Sequence, residues 1–114
     1  MNLTELQKVC HNESVARGWW ADSRNPYVLA TKIALIHSEI SEALEYLRQG
    51  GQDKHLPHRL GIEVELADAI IRICDLAGAL GLDLDGAIIE KLIYNKRRYD
   101  HDPAMRAAPG GKEF

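Results

Sequence analysis

Apolar and polar positions along the chain recur with a period near 3.6, the signature of helices, and nowhere alternate with the period of 2 expected of strands. The longest uninterrupted pattern runs from Tyr27 to about Gln49, without an internal Gly or Pro. Advanced about 100° per residue, Leu29, Ile33, Ile36, Ile40, Ala43, Leu44 and Leu47 fall on one stripe. Glu39 and Glu42 lie beside that stripe, while Ala34, His37, Ser41 and Arg48 take the far side. Gly50-Gly51 closes this helix, and Pro26 suits its first turn.

A second long helix is predicted from about Arg59 to Ala79, ahead of Gly81. Ile62, Leu66, Ala69, Ile70, Ile73, Leu76, Ala77 and Leu80 form one broad apolar arc, and Val64, Ala67, Ile71 and Cys74 form another. Between them runs a narrow seam of Glu65, Asp68, Arg72 and Asp75. A helix apolar on both flanks is expected to be buried. Its charged seam must then face a cavity, a cofactor or paired charges, because an unpaired buried ion is costly. An internal pair of Arg72 with Asp68 or Asp75 is the purely structural account.

Two shorter helices complete the pattern. Thr4 can cap one over residues 4 to 17, with Gln7 completing a capping box, Leu6, Val9 and Cys10 on its inner face, and Gly18 as its stop. Asp83 can cap another from Leu84 to Tyr99, to which Ile88, Ile89, Leu92 and Ile93 contribute the apolar side. Asp100 to Phe114, with Pro103, Pro109 and Gly110-Gly111, has no core pattern and reads as a mobile tail. The expected fold is all-α: a four-helix bundle-like protomer over residues 1–99, whose two long central antiparallel helices carry the acids, followed by the 100–114 tail.

Composition narrows the function classes. At 114 residues with 14 Lys and Arg against 17 Asp and Glu, the chain carries a formal net charge of −3. That argues against a nucleic-acid coat or an anionic-membrane binder. Cys10 and Cys74 read as reduced packing residues of a cytoplasmic protein. The N-terminus lacks the basic and apolar blocks of a signal peptide, and charges interrupt the most apolar stretch, so no membrane span is expected. His55 and His58, three apart in a loop without Cys, read as surface histidines.

The candidate chemistry lies in two acidic signatures, Glu39-Ile40-Ser41-Glu42 and Glu65-Leu66-Ala67-Asp68. Each places two carboxylates at i and i+3, neighbours on one helical face. Two such helices side by side would gather four carboxylates, which repel one another unless they bind cations. Oxygen ligands without His or Cys favour Mg²⁺, with Mn²⁺ as a substitute, over Zn²⁺. Trp19-Trp20 fits either a packed corner or a ring stacked on a ligand's base. Gln7 and Asn12 are further candidates for a base or sugar pocket.

Together these signatures, their separation and their helical setting resemble the MazG-like, all-α nucleoside triphosphate pyrophosphohydrolases. That family carries EExxE followed by ExxD on the next long helix. Glu39 and Glu42 match the second and third acids of the first motif, and Glu65 and Asp68 match both acids of the second. Ser38 stands where the first Glu is common. Gly18-Trp19 and, on the last helix, Lys91, Asn95 and Arg98 look like further family positions, the latter three as phosphate contacts.

The resemblance implies Mg²⁺-dependent cleavage of a (d)NTP between the α and β phosphates, giving the monophosphate and pyrophosphate. Glu39, Glu42, Glu65 and Asp68 would be the metal-binding and catalytic set, in a homodimer or homotetramer that serves nucleotide-pool house-cleaning. A phosphoribosyl-ATP pyrophosphohydrolase-like enzyme shares the same carboxylate logic. A non-enzymatic helical interaction module, its acids in salt bridges, is the alternative outside enzymology. A di-iron bundle would need Glu-x-x-His pairs, and no His here has a Glu three residues before it.

Overall fold

The computed structural model describes residues 1–22, 25–98, 103–107 and 109–110. These residues are all-helical and include no strand: α1 spans Leu3–Ala16, α2 Pro26–Gln49, α3 Gly61–Ala79, α4 Leu84–Arg97 and α5 Pro103–Ala107. The chain divides into two compact units, 1–82 holding α1 to α3, and 83–114 holding α4 and α5. No helix is long and apolar enough to cross a membrane.

Capping chemistry sets the helix starts. Asn2, not Thr4, caps α1: its Oδ1 accepts from the Glu5 amide at 2.8 Å, and its Nδ2 donates to Glu5 Oε1 at 3.1 Å. Asn ranks with the best N-caps, and Glu5 holds the cap in place by accepting from its side-chain amide. Asn25 caps α2 by accepting from the Tyr27 amide at 2.9 Å, leaving Pro26 in the first turn. Asp83 caps α4 through the Gly86 amide at 3.0 Å. The expected end of α4 at Tyr99 lies outside the described residues. Where only irregular tail was expected, Pro103–Ala107 form the short helix α5.

Helix α3 begins at Gly61 rather than at Arg59, because the backbone before it is tied into the preceding loop. Asp53 N donates to Arg59 O at 3.0 Å, Gly61 N donates to Gly51 O at 2.9 Å, and Gln52 forms an isolated bridge with Leu60. Gly61 also lies against α2 so closely that a Cβ there would sit 2.2 Å from Tyr46 Cε1. Within the first unit α3 packs on both α1 and α2. Tyr46 meets Gly61 and Glu39 meets Arg72, so α2 and α3 run antiparallel; His11 meets Asp75 and Gln7 meets Leu82, so α1 and α3 do too.

The burial differs from the expected one in a telling way. Small side chains dominate the core, which comprises Cys10, Trp20, Ala43, Ala69, Cys74 and Ala77. Glu65 and Asp75 of the charged seam are buried to 8% exposure, whereas Leu66, Ile70 and Ile71 of the apolar arcs remain 45%, 50% and 46% exposed. Helix α3 is therefore buried along its seam, because α1 and α2 both approach from that side. The outer stripe of α2 is open as well, at Ile33, Ile40, Leu44 and Leu47. Cys10 and Cys74 are free and buried, consistent with a packing role.

Candidate metal centre

Carboxylates from α2 and α3 meet at one point of the first unit. Glu39, Glu42 and Glu65 each bring an oxygen within 4.8 Å of the others. Helical geometry explains the pairing: Glu39 and Glu42 sit one turn apart on α2, and the antiparallel approach of α3 sets Glu65 opposite them. Neighbouring oxygens of an octahedral Mg²⁺ shell are about 3 Å apart and opposite ones about 4.2 Å, so the three carboxylates would draw inward to hold one ion.

Each acid has a distinct environment. Glu39 is buried, and its Oε1 accepts from Arg72 Nε at 2.8 Å. The expected partner of Arg72 on its own helix, Asp68 or Asp75, is thus replaced by an acid across the helix interface. Glu42 is exposed, on the open side of the cluster. Glu65 is buried, and its Oε2 is a buried acceptor with no hydrogen-bond partner. Burial first, then hydrogen bonding and repulsion from Glu39 and Glu42, push its carboxyl up to about 8. At neutral pH without a cation, one proton is therefore shared within the cluster, which lets two carboxyl groups face each other.

Asp68 stands outside the 4.8 Å set but feels the same field. Burial and the Glu39 charge raise its carboxyl, Arg72 opposes the rise, and Asp53 and Glu42 add to it. Among the described residues, Arg72 is the cation seen to contact this group of acids. No salt bridge reaches Glu42 or Glu65 among the described residues. An all-oxygen donor set, an orphaned buried acceptor and an excess of negative charge suit a hard divalent cation.

Sequence reasoning missed Asp53. This loop residue is buried, and its Oδ2 accepts from the His55 and Leu56 amides at 2.9 and 2.8 Å. An Asp shortly after Gly50-Gly51 is a recognisable turn-forming signal, but nothing in the sequence places it beside the acids.

Two cavities flank the cluster. One, of about 360 Å³ between α1 and α3, is lined by Ser14, Arg17, Trp19, Asp68, Ile71 and Arg72 among others. The other, of about 430 Å³, lies where the end of α2 meets the loop before α3 and shares Glu42 with the cluster.

The pocket candidates divide. Trp20 is a packed corner: buried, it donates from Nε1 to Asp75 Oδ1 at 2.7 Å, stands edge-on to the His11 ring, and carries Lys32 Nζ 4.6 Å above its own ring. His11 Nδ1 lies 3.0 Å from the same Asp75 oxygen. Trp19 is exposed, with Arg17 stacked over its ring at 5.3 Å, and faces the α1–α3 cavity. Gln7 is engaged in tying α1 to the chain after α3, donating to Leu82 O at 2.8 Å. Asn12 is exposed on α1.

Lys91, Asn95 and Arg98 belong to the second unit. There Lys91 Nζ and the Arg98 guanidinium lie 4.6 and 5.8 Å from the Tyr94 ring centre, and Asn95 Oδ1 is buried without a partner.

No family model, curated protein or solved structure matches the chain. The functional reading therefore rests on the chemistry of this cluster.

Proposed function

We propose that the protein is a Mg²⁺-dependent nucleoside triphosphate pyrophosphohydrolase of the MazG-like type, cleaving (d)NTP to (d)NMP and pyrophosphate. The observation that carries the reading is the convergence of Glu39, Glu42 and Glu65 from two helices, with the Glu65 oxygen left unpaired. A fold gains nothing from gathering acids in this way unless a cation offsets their repulsion. When bound, Mg²⁺ supplies charge neutralisation at the phosphates and a more acidic water.

The chain's own groups have separable roles. Glu39, Glu42 and Glu65 would hold the cation, and Arg72 fixes the Glu39 carboxylate in one orientation. Asp68, outside the triad and raised above the ordinary carboxylate range, would receive the proton of the attacking water, since a weaker acid is the better base near neutral pH. Lys91, Asn95 and Arg98 are proposed as phosphate contacts in the assembled protein. The uncovered apolar residues of α2 and α3 support a homodimer or homotetramer.

A screen for pyrophosphate release over normal and modified (d)NTPs with Mg²⁺ tests the activity and sorts its base preference. Glu42→Gln and Asp68→Asn should each lower turnover at least a hundredfold while leaving the helical circular-dichroism signal intact. Wild-type rates in both variants would remove these residues from the mechanism.

The contact between Arg72 and Glu39 favours a second reading, a non-catalytic helical module whose acids are neutralised by salt bridges. Calorimetric titration separates the two, because a salt-bridged seam binds neither Mg²⁺ nor Mn²⁺ whereas a carboxylate cradle binds both.

A further inference from the structure

The two cavities beside the cluster differ in chemistry, and the difference orients a substrate lying across it. The α1–α3 cavity offers a flat indole, Trp19, with Ile71 and Cys10, and its two cations are already engaged: Arg17 stacks on Trp19 and pairs with Glu13, and Arg72 holds Glu39. The other is bounded by Glu42, Glu45 and Tyr46 of α2 and by Asp53, Lys54 and His55 of the loop that follows. Its volume, about 430 Å³, is that of a small-molecule site.

The loop behind that cavity is pinned at both ends. Gly50 and Gly51 turn the chain with φ of 74° and 110°, a region L side chains rarely adopt. The bonds from Asp53 N to Arg59 O and from Gly61 N to Gly51 O then close the loop, and Arg59 N donates to Leu56 O at 2.9 Å. Inside it, Asp53 Oδ2 gathers the His55 and Leu56 amides. Lys54 and His55 thus project from a fixed turn.

Neither side chain forms an ion pair among the described residues, although acids surround them. Glu45 is occupied by Arg48 and Gln49, and Asp53 Oδ2 by its own loop. A cation present only to neutralise the cluster would pair with Glu42. An unpaired ammonium and an imidazole facing a carboxylate cradle form instead the two walls of a site for a compact, highly charged anion that also touches the cradle's cation.

We propose that Lys54 and His55 bind the diphosphate end of the substrate, with the nucleoside directed to the opposite cavity beside Trp19. This orientation rests on the pyrophosphohydrolase reading and adds two phosphate-binding residues on the α2–α3 loop, distinct from those of α4. Lys54 Nζ would pair with a terminal phosphoryl oxygen, and a His55 ring N–H would donate to another. Both would be released with pyrophosphate after cleavage.

Calorimetry on the full chain tests the idea with two probes, Mg²⁺ alone and inorganic pyrophosphate in the presence of saturating Mg²⁺. Lys54→Ala should weaken pyrophosphate binding about tenfold, the equivalent of one charge-assisted contact, while Mg²⁺ affinity stays within about twofold. His55→Ala should weaken it less, and Lys54→Arg should retain most of it. Both residues are exposed, so folding is not at stake.

Pyrophosphate binding unaffected by Lys54→Ala and His55→Ala overturns the orientation and leaves the hydrolase reading standing. Pyrophosphate affinity lost instead in Arg17→Ala reverses it, placing the diphosphate in the α1–α3 cavity. A wild-type chain that binds no Mg²⁺ and releases no pyrophosphate from any (d)NTP removes the reading beneath it as well.

Discussion

Replacing Glu65 by Gln tests the cluster without any assumption about substrate. In the metal-free fold the Glu65 carboxyl is pushed from its ordinary 4.5 to about 8 by burial and by Glu39 and Glu42. Between those two values the native chain holds a proton that the unfolded chain has released. Folding therefore loses stability as pH rises: the contribution is intact below about 4.5 and is gone above about 8. At 1.36 kcal/mol for each pKa unit the upper limit is about 5 kcal/mol, and because Glu42 leaves the cluster open to water on one side, screening reduces this to about 2 kcal/mol.

For a chain of this size about 2 kcal/mol corresponds to roughly 10 °C in Tm. Metal-free wild type should thus melt about 10 °C lower, relative to Glu65→Gln, at pH 8.5 than at pH 5. Gln keeps the size of the side chain and removes only its titrating proton. Adding Mg²⁺ at pH 8.5 should restore the wild type far more than the variant, since the amide offers a neutral and weaker ligand. The experiment is differential scanning fluorimetry in chelator and in Mg²⁺ across that pH range. Parallel melting curves for the two proteins, or equal rescue by Mg²⁺, would refute the account of Glu65 as a strained acid awaiting a cation.

Two further outcomes follow from packing. Gly61→Ala sets a Cβ 2.2 Å from Tyr46 Cε1, and the ring or α3 must move at a cost of about 1–3 kcal/mol, measured by urea denaturation; Tyr46→Ala in the same chain should reduce the extra cost, and additive losses would contradict the contact. The exposed Ile40, Leu44, Leu66 and Ile70 should be covered by another copy, so the wild type should sediment as a dimer or tetramer at micromolar concentration and Leu44→Asp with Ile70→Asp should shift it toward monomer; a monomeric wild type overturns this.

What the sequence revealed and what it concealed separate by distance along the chain. The four longer helices, the Gly stops and the i, i+3 spacing of the acids are local, and the 3.6-residue period was enough to find them, whereas the five-residue α5 is too short to show a period. Cap choice was less legible, because Asn2 and Thr4 are both competent and only the Asn2–Glu5 reciprocity decides. Pairings between helices were hidden. Arg72 has acids four residues before it and three after it, so a local bridge was the natural expectation, yet it reaches Glu39, 33 residues away. Asp75 likewise finds Trp20 and His11 on the chain's first quarter. Period alone gives the direction in which side chains point but not what stands there.

The same distinction explains why the seam of α3 turned inward. Helix wheels rank faces by hydrophobicity, and on that criterion the Leu and Ile arcs should have been covered first. Close approach between helices is governed by side-chain size as well. Ala43 on α2 and Ala69 on α3, each one helical turn from an acid of the cluster, offer small contacts beside Glu39 and Glu65. Packing through them brings Glu39, Glu42 and Glu65 together and leaves Leu66 and Ile70 outside. Neither consequence is favourable for an isolated, metal-free protomer: one concentrates negative charge and the other exposes apolar surface. On the proposed reading, cation binding would offset the first and self-association the second. The stability of a chain whose helices are matched along their charged edges should then depend on Mg²⁺ and on protein concentration together.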